Sequence, residues 1–249
     1  MTRNFSPARD FYATFSKKVA NKIHLINMNI RICAVITGKN LKEFITNLKK
    51  AQKQTDWVEL RVDYIRDFKI EDIAKIKKGV KKNSIFTCRK PNEGGEFKGA
   101  EKERLAILNA ALKEGFDLID IELSSFDKVR IPAGNPRMIC SYHDFKKTPS
   151  LEQLKKIAAK MEKTGAPIIK LVTMINELDD NQKLFELLAA KKNESKMIVL
   201  GMGEKGKITR LLSPLWGGFM TFASIGQATA PGQMTVKELK DVYKKMGAR

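Results

Sequence analysis

The chain has 249 residues, and its 47 Lys and Arg residues against 28 Asp and Glu residues give a formal net charge of +19. This length forms one large domain or two small ones and is sufficient to bury a core. No stretch approaches the roughly 18 consecutive apolar residues of a membrane-spanning helix, which excludes an integral membrane protein. Cys33, Cys88 and Cys140 lie far apart without a CxxC pair, which excludes a zinc ribbon or a disulfide framework and indicates a reducing compartment such as the cytoplasm.

The strong positive charge has two interpretations. A basic protein can bind the phosphate backbone of nucleic acid, or its lysines can simply keep an exposed helical surface soluble. The basic residues occur as scattered pairs rather than as one stripe interleaved with aromatic residues; the pairs are Lys49-Lys50, Lys77-Lys78, Lys81-Lys82, Lys155-Lys156 and Lys191-Lys192. We therefore expect a solubilising surface and no nucleic-acid partner, with nucleic-acid binding as the alternative.

Residues 1–28 differ in composition from the rest of the chain. They carry five basic residues against one acidic residue, a balance that a transit peptide would share. We expect instead a basic extension that is poorly ordered or forms a surface helix. Met28, directly before the first predicted strand, is a candidate alternative start, and residues 29–249 are predicted to form one catalytic domain.

From residue 29 onward, apolar segments of strand length alternate with segments of helical periodicity. The predicted strands are residues 30–36, 57–65, 84–89, 117–123, 137–145, 167–174, 197–202 and 218–224. Asn40, Ser150 and Thr235 are suitable N-cap residues for three of the helices. The connection 123–137 has the weakest helical pattern, because its prolines limit any helix there. Eight strands with intervening helices predict an α/β protein with a single (β/α)8 TIM barrel.

Several predicted strands are charged on one side. In the second strand, Glu59, Arg61 and Asp63 alternate with apolar residues, and in the fourth strand Asp120 and Glu122 do the same. Because side chains alternate across a strand, the apolar set is expected to face the helices and the charged set the barrel interior. Buried charges are costly unless they pair or serve chemistry, and barrel enzymes place their sites at the carboxyl ends of the strands.

Lys170 interrupts an apolar strand, where a charged amine would be badly desolvated. Apolar walls and cations such as Arg61 and Arg89 disfavour the ammonium form and favour a free amine. A free amine in a dry pocket attacks ketones, which predicts Schiff-base catalysis. The alternative is a structural lysine paired with Glu59 or Glu122.

His143 lies near the end of the fifth predicted strand, and the chain has only one other histidine, His24. A histidine at the catalytic face of a barrel can move protons near neutral pH, although a structural histidine is the alternative. Without a His/Cys cluster, a zinc site is not expected.

Two glycine-containing segments are further candidates. Residues 201–206 match G-x-G-x-x-G but lack the acidic residue that a dinucleotide fold needs about 20 positions later. We interpret them as an anion-binding turn, whose amides together with Arg210 receive a carboxylate. Residues 228–233 are suited to a lid.

Together these residues resemble type I 3-dehydroquinate dehydratases, over about residue 30 to the carboxyl end. The resemblance rests on ordered motifs at the strand ends: Glu59-Leu60-Arg61-Val62-Asp63, Arg89 with Glu93-Gly94-Gly95-Glu96, Asp120-Ile121-Glu122-Leu123, Ser141-Tyr142-His143-Asp144-Phe145, Lys170, the 201–210 turn, and Ala230-Pro231-Gly232-Gln233. It implies a dimeric (β/α)8 hydro-lyase of the shikimate pathway and aromatic amino acid biosynthesis, which uses neither cofactor nor metal.

The resemblance also implies a role for each catalytic residue. Lys170 corresponds to the lysine that forms the imine with the ketone of 3-dehydroquinate, and His143 to the general base and acid that completes the formation of 3-dehydroshikimate. Glu93 corresponds to the carboxylate that orients the histidine. Matches to substrate-binding positions are Glu59, Arg61 and Arg89 for the ring hydroxyls, Arg210 for the carboxylate, and Thr229 with Gln233 for the closing loop.

Three positions depart from the family pattern. Thr229 stands where serine is general, which preserves a hydroxyl group. Val35 stands where a serine is often found, which removes one possible substrate contact, and Tyr142 replaces a common asparagine. The closest enzymatic alternative is a Schiff-base class I aldolase on the same barrel, with Lys170 as its nucleophile.

Overall fold

A computed structural model describes residues 30–129, 137–191, 196–226 and 228–247. The predicted extension, residues 1–28, lies outside the described residues, as do the prolines of the connection 123–137.

The sheet is a parallel barrel of eight strands. The strands are β1 Ile32–Ile36, β2 Trp57–Arg61, β3 Asn83–Thr87, β4 Leu118–Glu122, β5 Met138–Asp144, β6 Ile168–Met174, β7 Lys196–Met202 and β8 Thr221–Ser224. They are hydrogen-bonded in the order β7-β6-β5-β4-β3-β2-β1-β8. The N–H of Phe219, just before β8, donates to the carbonyl of Met197 in β7 at 2.7 Å, which nearly closes the barrel. The predicted (β/α)8 fold is confirmed.

Seven α-helices surround the strands in the described part of the chain. They are α1 Leu41–Ala51, α2 Asp72–Gly79, α3 Glu101–Glu114, α4 Leu151–Glu162, α5 Leu178–Ala189, α6 Lys207–Leu215 and α7 Val236–Lys245. After β4 the described chain continues as the 3-10 helix Leu123–Lys128. None of the described helices combines the length and the apolarity needed to cross a bilayer.

The three predicted N-caps are confirmed. The side chains of Asn40, Ser150 and Thr235 each accept a hydrogen bond from the backbone N–H three residues later, at the starts of α1, α4 and α7. Each cap satisfies a donor that the first turn of the helix leaves without an intrahelical partner. Because these helices begin just after the catalytic face of the barrel, the caps help to fix the loops of that face.

The apolar side chains form two layers, as the alternation in the strands predicts. Leu60 and Ile121 belong to the larger cluster between sheet and helices. Ile85, Ile139 and Ile168 belong to a smaller cluster inside the barrel. The inward-facing polar residues follow these isoleucines along their strands, so that the barrel interior is apolar at its amino-terminal end and charged at its carboxyl-terminal end. This division places the charged groups at one mouth of the barrel.

Two of the basic pairs lie at the carboxyl ends of helices. Lys49 and Lys50 lie in the last turn of α1, and Lys77 and Lys78 lie in the last turn of α2. Cations at these ends interact favourably with the helix dipole. The structure therefore gives these lysines a local stabilising role, while their effect on solubility stays a prediction.

Replacing Ser150 by alanine is expected to lower the free energy of unfolding by about 1 kcal/mol, because α4 loses its side-chain cap. Urea denaturation followed by circular dichroism measures this change. The matched control is Ser150→Asn, which keeps a capping oxygen and is expected to retain most of the stability. Equal losses in both variants would contradict the assignment of the cap.

Candidate active site

One pocket at the carboxyl ends of the strands brings together all nine predicted site residues. Its charged and polar lining consists of Glu59, Arg61, Arg89, Glu93, His143, Lys170, Arg210, Thr229 and Gln233. Glu59 and Arg61 lie on β2, and Arg89 lies just after the end of β3. Glu93 lies on the following 3-10 turn, His143 on β5 and Lys170 on β6. Arg210 comes from α6, and the last two come from the loop between β8 and α7.

Lys170 is held between two carboxylates in the interior of the barrel. Its Nζ lies 3.2 Å from Glu59 Oε1 and 3.0 Å from Asp120 Oδ2, and its side chain is only 6% exposed. Nζ also lies 4.2 Å from the centroid of the Phe222 ring. The expected surroundings of apolar walls and cations therefore need correction, because two carboxylates also face the amine. Pairing with Glu59 was one of the alternatives, but the second partner is Asp120 rather than Glu122.

Asp120 is the centre of this charge network. Its Oδ1 accepts hydrogen bonds from Arg89 Nη2 at 2.7 Å and from Ser141 Oγ at 2.6 Å, while Oδ2 faces Lys170. Burial opposes ionisation of the carboxyl group, but Arg89 and Lys170 outweigh it and hold the pKa of Asp120 well below its usual range. The sequence analysis placed Asp120 on the interior face but assigned it no role.

Glu122 connects this network to a buried arginine outside the barrel. One carboxylate oxygen of Glu122 lies 3.0 Å from Arg89 Nη1, and the other lies 2.7 Å from Arg104 Nη1. Arg104 is fully buried and also pairs with Glu101. The sequence analysis missed Arg104; its only signal was a position on the apolar face of α3, four residues before Leu108. Arg104 thus holds the Glu122 carboxylate from outside the barrel, and Glu122 in turn orients Arg89.

His143 is backed by Glu93. Its Nδ1 lies 3.1 Å from Glu93 Oε2, which also accepts the backbone N–H of His143 at 3.1 Å. Burial, reinforced by Arg89 and Lys170, lowers the pKa of His143 well below its usual value, so that the ring is neutral at pH 7. With Nδ1–H donated to Glu93, the lone pair of Nε2 is free to accept a proton.

The glycines after Glu93 allow this placement. Gly94 has φ +77°, and a Cβ there would lie 2.1 Å from the Phe145 ring. A Cβ on Gly95 would lie 1.9 Å from the carbonyl oxygen of Arg89. Only glycine therefore lets this turn fold back against the end of β3, which brings the Glu93 carboxylate beneath the imidazole.

Arg61 is oriented from two sides. Its guanidinium makes a bidentate pair with Asp63, at 2.9 and 2.7 Å, and donates to the carbonyl of Gly94 at 3.1 Å. Although burial disfavours the charge, Asp63 raises the pKa of Arg61 above its usual value. Arg61 is thus a cation with a fixed orientation in the pocket, and Asp63 is the residue that holds it there.

Arg210 differs from the other arginines of the pocket. It is buried, yet among the described residues it has no carboxylate partner, and its Nε has no hydrogen-bond acceptor. Burial lowers the pKa of Arg210 to about 10. Its closest hydrogen-bond contact is the carbonyl of Pro231, at 3.5 Å from Nη2. A buried cation in this state favours an anionic ligand.

The loop of residues 228–233 is tied to the turn of residues 201–206. Gln233 Oε1 accepts hydrogen bonds from the backbone N–H and the hydroxyl of Thr229, at 2.8 and 3.0 Å. The carbonyl of Pro231 accepts the N–H of Gly203 at 3.0 Å. Gly232, with φ +70°, packs so closely on Gly203 that a Cβ would lie 2.1 Å from the Gly203 carbonyl oxygen. These contacts place the loop at the edge of the pocket.

The prediction that the amides of the 201–206 turn receive an anion needs correction for its three glycines. The N–H of Gly201 donates to Thr209 Oγ1, that of Gly203 to Pro231 and that of Gly206 to the carbonyl of Gly203. These three amides stabilise the turn itself. The turn therefore serves to place α6 and Arg210, whose side chain lines the pocket.

Val35 and Tyr142, two of the three departures from the family pattern, lie in different places relative to the pocket. Val35 lines the pocket, so that the missing hydroxyl concerns the site directly. Tyr142 instead packs against the cluster between sheet and helices. Among the described residues, no three His, Cys, Asp or Glu side chains are grouped so as to hold a metal ion.

A barrel of parallel strands with reactive side chains at their carboxyl ends defines the chain as a (β/α)8-barrel enzyme. Residues 32–249 match the model of the type I 3-dehydroquinase family. A 3-dehydroquinate dehydratase of Coxiella burnetii is 42% identical over 216 residues, which cover 86% of this chain and 93% of the relative. One of Methanococcus maripaludis is 38% identical over 223 residues, covering 87% and 100%.

Solved structures agree with the sequence relatives. The 3-dehydroquinate dehydratase of Geobacillus kaustophilus superposes with a TM-score of 0.78 at 26% identity, covering 88% of this chain and 92% of that chain. An aldolase, QR15, superposes with a TM-score of 0.54 at 13% identity, covering 89% and 98%, a likeness of fold alone. The chain belongs to the type I 3-dehydroquinase family. It is a hydro-lyase of the shikimate pathway with 3-dehydroquinate dehydratase activity, which decides against the aldolase alternative.

The imidazole of His143 is expected to remain neutral on acidification through pH 6.5, where an ordinary histidine is half protonated. The 15N chemical shifts of the ring measure this, with Nδ1 as the protonated nitrogen. Because the chain has two histidines, His24→Gln leaves one imidazole to observe. A titration midpoint at or above pH 6.5 would contradict the assignment of a buried neutral base.

Proposed function

We propose that the chain dehydrates 3-dehydroquinate to 3-dehydroshikimate through an imine on Lys170, with His143 as general base and acid. The observation that carries the proposal is a buried lysine amine in the same pocket as a neutral histidine backed by Glu93. A structure of the type I enzyme from Clostridium difficile contains covalently modified comenic acid; that protein is 27% identical, with a TM-score of 0.75, covering 89% of this chain and 93% of that chain. Covalent chemistry in a relative supports the proposal that this chain also carries a nucleophile, for which Lys170 is the candidate.

The first step is attack of the lysine amine on the substrate ketone. The ammonium of Lys170 must first lose a proton, and Glu59 Oε1, which accepts one of its hydrogen bonds, is in position to receive it. Nζ then forms a bond to the carbonyl carbon, and the ketone oxygen leaves as water. The resulting iminium withdraws electrons from the adjacent carbon, which makes the proton on that carbon more acidic.

The second step is elimination. Nε2 of the neutral His143 removes a proton from the acidified carbon, and Glu93 stabilises the imidazolium that forms. The same proton then passes to the departing hydroxyl group, which leaves as water and restores neutral His143. Hydrolysis of the conjugated iminium releases the ketone product and the amine. One water is lost overall, because the water released in imine formation is consumed in this hydrolysis.

The pocket also supplies partners for the rest of the substrate. The uncompensated cation of Arg210 is proposed to bind the substrate carboxylate. Glu59, Arg61 and Arg89 are proposed to contact the ring hydroxyls, with the loop of Thr229 and Gln233 closing over them. Arg89 already pairs with Asp120 and Glu122, so that a hydroxyl would meet a cation that is fixed in advance.

Four further predictions rest on the resemblance and on composition: a homodimer, a cytoplasmic location, no cofactor or metal, and no nucleic-acid partner. Binding of DNA and RNA at two salt concentrations tests the last of these. Weak binding without a steep salt dependence is the expected result.

Borohydride reduction in the presence of 3-dehydroquinate tests the imine. The reductant is expected to convert the imine to a stable secondary amine, and mass spectrometry of peptides is expected to place the added mass on Lys170. Lys170→Met is the matched negative variant and is expected to be neither labelled nor measurably active. Lys183→Met, which removes a half-buried lysine of α5, is the charge-matched control and is expected to label fully. Turnover without an adduct would contradict the imine.

Replacing His143 by alanine is expected to lower kcat by about 10²- to 10⁴-fold, the usual range for loss of a general acid–base group. The absorbance of the conjugated enone product measures kcat. Borohydride labelling of Lys170 is expected to persist in this variant, because imine formation does not require the later proton transfers. Near-normal turnover in His143→Ala would contradict the role of the histidine.

A further inference from the structure

The two carboxylate oxygens of Glu93 have different surroundings. Oε2 serves His143, as described above. Oε1 faces Lys90 Nζ at 3.6 Å and Ser124 Oγ at 3.5 Å, and Nζ is itself hydrogen-bonded to Ser124 Oγ. The side chains of Lys90 and Glu93 are only 13% and 11% exposed. Neither Lys90 nor Ser124 is among the predicted site residues.

The backbone fixes Lys90 in this place. Lys90 directly precedes the 3-10 helix Pro91–Glu93, and in such a helix residues three positions apart lie above one another. The carbonyl of Lys90 accepts the N–H groups of Glu93 and Gly95, at 3.1 and 3.0 Å. Its own N–H donates to Glu122 Oε1 at 3.3 Å. Lys90 and Glu93 are therefore held as neighbours by the same turn.

The charges around Glu93 give Lys90 a specific effect. Burial and the carboxylate of Glu122 raise the pKa of Glu93, whereas Arg89, Lys90 and the backbone N–H of His143 lower it. Arg89 is already paired with Asp120 and Glu122. Within the part of the chain that the structure describes, Glu93 is the only carboxylate paired with the ammonium of Lys90. Lys90 is thus the cation that pairs directly with Glu93, in addition to the electrostatic influence of Arg89.

We propose that Lys90, with Ser124, is a positioning residue that keeps the Glu93 carboxylate ionised and aligned on Nδ1 of His143. The proposal rests on the proposed role of His143 as the base. Lys90 does not contact the reacting atoms; it acts through Glu93. A proton on Glu93 would remove the anionic acceptor of the Nδ1–H bond and weaken the stabilisation of the imidazolium. Loss of the Lys90 charge favours protonation of the Glu93–His143 pair, whichever member takes the proton.

The pH dependence of kcat in Lys90→Met tests this proposal. The acid limb of the profile is expected to move to higher pH by about one unit, the usual effect of removing an opposite charge within 4–6 Å of a carboxylate. At a pH on that limb, this shift is about a tenfold loss of activity relative to the native enzyme. The midpoint of the 15N titration of the imidazole is expected to move in the same direction, which gives a readout independent of turnover.

Two variants separate this effect from structural damage. Lys90→Arg keeps the charge, and its acid limb is expected to lie near that of the native protein. Lys146→Met removes an exposed charge at the same end of the barrel, just after β5, and is expected to leave the limb unchanged. Equal thermal midpoints for all three variants show that the fold is intact.

The result that would overturn the proposal is an unchanged acid limb and an unchanged imidazole titration in Lys90→Met. An equal shift in Lys146→Met would also overturn it, because any nearby positive charge would then have the same effect. If His143→Ala retains near-normal turnover, the proposed catalytic role of the histidine fails instead. The two failures are therefore distinguishable.

Discussion

The pairing of opposite charges around Asp120 is the constraint on which the rest of the site depends. A carboxylate at this depth in a barrel is costly without partners. Asp120 has three partners, from three strands or strand ends: Arg89, Ser141 and Lys170. Through Arg89 and Glu122 the same network extends to Arg104 on a surrounding helix. Removal of any one charged member would therefore take a partner away from another buried charge.

The network leaves one positive charge of the pocket, that of Arg210, without a carboxylate partner among the described residues. Lys170, Arg89 and Arg61 have carboxylate partners, whereas Arg210 has none among the described residues. Together with burial, the nearby cations disfavour a proton on His143 and keep the imidazole neutral. The same arrangement therefore favours an anionic substrate and provides a base that is ready to accept a proton. This link between binding and proton transfer follows from burial and from the charges together.

Much of the fold was predictable because strand alternation carries a strong signal. All eight strands and three N-caps were predicted, and the outward set of apolar residues was identified from alternation in β2 and β4. The nine site residues converge because the carboxyl ends of parallel strands meet at one mouth of the barrel. Thr229 and Gln233 lie in a loop, where periodicity gives no signal. They were predicted from the resemblance to the family.

The partners of the charges were less predictable, because pairing depends on the stagger between strands. Lys170 was expected to be a free amine, with pairing to Glu59 or Glu122 as the alternative, but Asp120, which lies two strands away on β4, also meets its amine. Arg104 was missed because it lies on a helix and enters the site through Glu122. The glycine amides of the 201–206 turn were assigned to an anion, because the sequence gives no sign of the internal acceptors that they use.

A crystal structure of the enzyme reduced with borohydride in the presence of 3-dehydroquinate tests the central claim most directly. The account predicts continuous density from Lys170 Nζ to a ring carbon of the substrate. It also predicts the ring carboxylate within hydrogen-bond distance of Arg210 and Nε2 of His143 facing the carbon next to the attachment point. An unmodified Lys170 still held between Glu59 and Asp120, with the substrate bound elsewhere, would contradict it.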